Sequence, residues 1–131
     1  MAGYIDGFVF PISLARIEEY KAVAQAVGDI YREHGAMEYL EFVGDDMERE
    51  GTVSFPGLLT AAEGETIVMG WITYDSRETR DKVNAKIESD PRIADLVVPL
   101  MDPEAMIFDA SKMAFGGFKP LVRSSGKATD D

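Results

Sequence analysis

Residues 65–81, ETIVMGWITYDSRETRD, carry a strand that is apolar on both faces straight into a highly charged helical segment. Side chains on a strand alternate with period two, so Val68, Gly70 and Ile72 point one way while Ile67, Met69 and Trp71 point the other. Neither face is built for water. The chain's own helices can cover one face, but the other needs a second layer, and 131 residues leave too few further elements to supply it. The expectation is a partner subunit, and hence a homodimer.

The rest of the chain reads as few, long elements. Residues 4–11 form a strand closed by Pro11, with Ile5, Gly7 and Val9 on one face and Tyr4, Asp6, Phe8 and Phe10 on the other. Ser13 caps a helix to about residue 33, in which Leu14, Ile17, Tyr20, Val23, Val27 and Ile30 recur at helical spacing, and Gly35 stops it. Residues 36–43 make a second strand, with Met37, Tyr39, Glu41 and Val43 on one face and Glu38, Leu40 and Phe42 on the other. Residues 44–64 are too long for a bare connection, and a short strand over 58–62 forming a hairpin into the strand at 65 is expected.

Beyond Tyr74, Asp75 and Glu78 form a capping-box-like pair opening a helix to about residue 89, with Val83 and Ile87 as its narrow apolar stripe. Asp90 and Pro91 start a short helix to about residue 98. Residues 100–111 read as a loop, and 112–122 as a last strand in which Gly116 and Gly117 mark a bulge or a close backbone approach. The order is strand, helix, strand, strand, helix, strand. That is an α+β, ferredoxin-like βαββαβ unit with an antiparallel sheet and both helices on one face, occupying residues 1–122 as one domain ahead of a polar tail, 123–131. An apolar bare face on such a sheet points to a dimeric α/β barrel.

Composition narrows the partners. A net charge of −11 repels phosphate backbones and anionic lipid, so nucleic acid is not an expected partner. No apolar run approaches the length that spans a bilayer. The chain has no cysteine, which removes disulfides, thiolate metal sites and thiol nucleophiles. Residues 1–10 carry Asp6 inside their apolar run with no basic residue before it, unlike a secretory signal, and the expected location is the cytoplasm.

Asp6 is the most suggestive acid. Flanked on its own face by Tyr4, Phe8 and Phe10, it would be desolvated and its pKa raised, as a general base requires. Together with Tyr4, Phe8, Trp71 and Tyr74 it marks a candidate ligand pocket near the bare sheet face. The competing expectation is an ion pair with a cation such as Arg80 or Lys112, which reverses the shift. Glu41 is either a second carboxylate for acid–base work or a solvent-facing, ion-paired residue near a strand end. His34 sits at a helix C-terminus, where capping competes with a role as base. Trp71 and Tyr74 line a cavity or fill the core and interface. No metal and no cofactor are expected: Gly44-Asp45-Asp46 lacks calcium-loop spacing and Gly116-Gly117 lacks a phosphate-loop context.

Several spaced motifs occur together: Tyr4-x-Asp6-Gly7-Phe8, His34 or its neighbours before Gly35-Ala36, Glu41, Trp71-x-x-Tyr74, Ser76-x-x-x-Arg80-Asp81, Asn84, Ser89-Asp90-Pro91-Arg92, and Phe108-Asp109-x-x-Lys112-Met113-x-Phe115-Gly116-Gly117-Phe118. In these the chain resembles the YbaA-like bacterial family of unknown function. The resemblance implies the dimeric α/β-barrel superfamily and no particular activity. Two functions then compete. One is a binding dimer holding a small apolar or aromatic molecule at the sheet. The other is a cofactor-independent enzyme of monooxygenase, isomerase or dehalogenase type, with Asp6 or His34 as base, which rests on fold analogy alone.

Overall fold

A computed structural model of the chain describes residues 1–104, 106, 107 and 109–126. Four strands form one antiparallel sheet in the order β2-β3-β1-β4: β1 (Tyr4–Ser13), β2 (Glu38–Val43), β3 (Glu65–Tyr74) and β4 (Ala114–Phe118). The helices are α1 (Ile17–Glu33), the single turn α2 (Phe55–Leu58), α3 (Arg77–Glu88) and α4 (Pro91–Val97). This is the expected ferredoxin-like α+β arrangement. The β1–β3 ladder, from Tyr4 opposite Tyr74 to Ser13 opposite Glu65, is its spine.

Alternation along these two strands decides what is covered. Phe8, Phe10 and Ile12 of β1 and Val68, Ile72 and Tyr74 of β3 face the helices and join Tyr20 and Ile30 of α1 and Val83 and Ile87 of α3 in the core. Phe8 and Phe10 are covered by the chain's own helices, at 8% and 0% exposed, whereas Phe115 and Phe118 are left more than half exposed. The opposite face carries Trp71, stacked on Phe42 of β2 at 5.2 Å between ring centroids. It also carries Phe118, whose ring lies over Gly7. Phe42 and Phe118 are more than half exposed.

Pro11 does not end β1, which runs on to Ser13. Leu14 N–H donates to the Gly64 carbonyl, so the even-numbered residues of β1 turn their amides to β3 and Pro11 turns its nitrogen the other way. On that side β4 pairs only as far as Val9, and a residue without an N–H loses nothing there. Because β1 is longer, Ser13 leads into a 3₁₀ turn, Leu14–Arg16, without a side-chain capping bond, and α1 begins only at Ile17. Its end is as expected: Gly35 follows the C-cap His34 with φ +121°.

Three more boundaries move. The expected strand over 58–62 does not form: the turn α2, capped by Ser54 with Pro56 in its first turn, ends at Leu58, and 59–62 are turn and irregular chain. Asp75 does not cap α3. β3 stays paired through Tyr74, so Asp75 makes the corner and the cap falls on Ser76, whose Oγ accepts from Thr79 N–H at 3.1 Å. β4 is shorter than expected and shows no bulge in its register, but Gly117 does make a close approach, since a Cβ there would collide with the Tyr4 hydroxyl. Residues 127–131 of the expected tail, and Phe108 of the last motif, lie outside the described residues.

Candidate functional site

β2 is an edge strand, and α1 crosses beside it. Gly28 makes the close crossing possible: a Cβ at that position would stand 2.7 Å from the Tyr39 ring. Tyr39 and Glu41 are two residues apart on β2 and share the face turned to α1, from which Tyr20 descends between them. The Tyr20 hydroxyl donates to Glu41 Oε1 at 2.5 Å, and the Tyr39 hydroxyl donates to Glu41 Oε2 at 2.7 Å. Burial pushes the Glu41 carboxyl above its ordinary range, and the two tyrosine bonds pull it back only in part. Burial beside the same carboxylate pushes both tyrosines up, so both remain protonated donors.

This cluster lines a cleft of about 600 Å³ between α1 and β2, walled by Ile17, Ala24, Phe42 and Val43. A second, apolar hollow of about 170 Å³ lies behind it, among Phe8, Tyr31, Leu100, Met113 and Phe115. Tyr20, Ala24 and Tyr39 belong to both walls. The outer volume falls in the range that small-molecule sites occupy, and the mix of apolar walls with a few convergent polar groups is their usual chemistry. A partly buried carboxylate flanked by two protonated hydroxyls can accept a proton or hydrogen bonds from a bound molecule and can polarise it.

Glu41 is thus only partly exposed, and among the described residues it is held by tyrosine hydroxyls and by no ion pair. Its tyrosine partners were within reach of the sequence: Tyr39 shares its face, and Tyr20 lies on the apolar stripe of α1. What the sequence lacked was the crossing at Gly28 that brings the two together.

Asp6 is elsewhere. It is 0% exposed on the helix face, 2.7 Å from the Arg80 guanidinium, and accepts from the Tyr74 hydroxyl at 3.2 Å. Arg80 also packs over the Tyr4 ring, 4.8 Å from its centroid. Tyr4, Asp6 and Tyr74 therefore come together around a cation, as the ion-pair alternative required, and line neither of the two hollows. Trp71 does not join them, since it pairs with Gly7 on the opposite face of the sheet from Asp6. Of the pocket residues expected from sequence, Phe8 alone reaches a hollow. Asp6 and Glu41 share no hydrogen-bond partner and form no carboxylate pair.

His34 closes α1 and lies 2.8 Å from Asp90 Oδ2, which ties the C-terminus of α1 to the N-terminus of α4. With Glu33 these residues bring three potential ligand atoms within 4.8 Å of one another. The Arg92 guanidinium already bonds both carboxylates, at 2.6 Å to Glu33 and 2.7 Å to Asp90. Those hydrogen bonds, with His34 adding its own, hold the Asp90 carboxyl well below the usual carboxylate range. The cluster is a helix-to-helix clasp.

Residues 3–110 match the family described as protein of unknown function (DUF1428), and the chain belongs to it. It is 32% identical over 119 residues to the uncharacterised protein YbaA of Escherichia coli K12, covering 91% of this chain and 97% of that protein, and equally to YbaA of Shigella flexneri. Among solved structures it is similar to a NIPSNAP family protein of unknown function from Agrobacterium tumefaciens, with TM-score 0.53 and 14% identity over 92% of this chain and 90% of that one. A protein of Arabidopsis thaliana gives TM-score 0.56 at 13% identity, over 93% of this chain and 99% of that one. At these identities the likeness speaks for the fold alone. No helix among the described residues is long and apolar enough to cross a membrane.

Proposed function

We propose that this protein is a cytoplasmic homodimer that binds a small, largely apolar molecule in the cleft between α1 and β2. The observation that carries the reading is the Glu41 carboxylate, partly buried and held by Tyr20 and Tyr39 on the wall of a ligand-sized cleft. Apolar walls supply the affinity, and the cluster orients the ligand's polar end. Dimerisation is supported by the bare sheet face, where Phe42 and Phe118, more than half exposed, lie with Trp71. If the protein is also a catalyst, the raised Glu41 carboxyl is its base, since Asp6 is paired with Arg80 and His34 with Asp90.

Native mass spectrometry after equilibration with a metabolite mixture tests both parts at once. A dimer mass with a retained small molecule is expected, and the retained mass disappears when Ala24→Phe fills the wall between the two hollows. A ligand retained equally by that variant removes the cleft from the reading; a monomer mass removes the dimer.

A further inference from the structure

The charges at the mouth of the cleft and on its wall differ in kind. At the mouth, Glu18 and Asp29 stand against Lys21 and Arg32, all exposed, so these charges balance and salt screens them. Glu41 alone among the cleft's acids and bases is partly buried, the others being exposed. Acids removed from water in folded proteins are usually paired with a cation. The fully buried acid of this core, Asp6, has its cation in Arg80. Glu41 has none: among the described residues no basic side chain comes within ion-pairing distance, and its two hydrogen bonds come from neutral hydroxyls. A carboxylate offers about four acceptor positions. Two are filled by the tyrosines, and Glu41 lines the cleft.

The missing cation is the ligand's. We infer that the cleft selects a protonated amine on an apolar or aromatic body, with the ammonium docked on Glu41 between the rings of Tyr20 and Tyr39. This rests on the binding reading above and names its ligand class. Two features favour a cation over a neutral donor or an anion. A charge-assisted bond to a carboxylate is about twice as strong as a neutral one. The chain's net charge of −11 draws cations towards the protein and repels anions.

The test is isothermal titration of the full-length protein at neutral pH with three probes of similar shape: phenethylamine as cation, phenethyl alcohol as neutral molecule and phenylpropionate as anion. The amine is expected to bind about tenfold or more tighter than the alcohol, with the anion weakest. In Glu41→Gln the amine should fall to the affinity of the alcohol. The ranking in the unsubstituted protein decides by itself should that variant fail to fold. Equal affinities for amine and alcohol, or an amine preference that survives Glu41→Gln, overturn the ligand class and leave the binding cleft standing. Absence of heat from all three probes overturns both.

Discussion

The Tyr39 hydroxyl donates to Glu41 Oε2 at 2.7 Å from two residues away on the same strand, and the ring that makes this bond rests on the backbone of Gly28. Strand geometry puts the two side chains on one face; the glycine in α1 lets the helix come close enough to seal it. Gly28→Ala sets two effects against each other. Helix propensity gains about 1 kcal/mol, whereas a Cβ placed 2.7 Å from the root of the Tyr39 ring forces the ring or the helix aside, and such overpacking costs about 1–3 kcal/mol. Net destabilisation in urea unfolding is expected, with weakened ligand retention. A gain in stability would mean that Tyr39 is not held against α1.

Burial of Glu41 also sets a pH dependence whose sign is fixed. A carboxyl whose pKa is raised in the folded state above its ordinary value of 4.5 binds more protons folded than unfolded in the window between the two values. Its contribution to stability is therefore greatest below 4.5 and is lost as pH rises through the raised folded value. The difference in melting temperature between the protein and Glu41→Gln should shift in favour of the glutamine variant as pH rises across that window. A difference that stays constant with pH would show that Glu41 titrates as an exposed acid.

Arg80 is expected to matter for folding and not for binding. Its removal leaves Asp6 charged and 0% exposed in the core, and breaking a buried pair from one side costs about 3–5 kcal/mol. Arg80→Ala should lower stability by that order, and Asp6→Asn in the same chain should return much of it, since the uncompensated charge is gone. Chemical denaturation of the two single variants and the double variant measures the coupling. Additive losses would mean that the pair does not act as a unit.

The topology was legible in the sequence because it depends on period and length: the two-faced pattern of Ile67 to Trp71, the helical stripe from Leu14 to Ile30 and the stop at Gly35 each have one reading. Boundaries depended on pairing that the sequence does not display. Ser76 replaces Asp75 as cap because β3 stays hydrogen-bonded one residue longer, and Pro11 is tolerated because β4 ends early. The site was legible in its parts. Asp6 stood out for its aromatic neighbours, yet Arg80 lies 74 positions away along the chain and meets it only in the fold. Glu41 looked like an edge residue until Tyr20 from α1 closed over it.

Dimerisation is the reading on which the bare sheet face turns. With Phe8 and Phe10 covered within one chain, the uncovered apolar side chains on that face are Phe42 and Phe118, more than half exposed, beside the partly buried Trp71. Burying each such aromatic is worth about 1.5–3 kcal/mol, so two facing copies gain several of these terms from each chain. Placing a carboxylate at the centre should reverse the balance, because a charge buried without a partner costs more than the lost apolar contact. Phe42→Asp is the suitable change: Phe42 stacks on Trp71 and is 56% exposed in one chain, so the single subunit can tolerate the charge that the pair cannot. Light scattering should give a dimer mass for the unsubstituted protein and a monomer mass for Phe42→Asp, with circular dichroism unchanged between them. A monomer before substitution, or a dimer that survives it, would assign the association to another surface or deny it altogether.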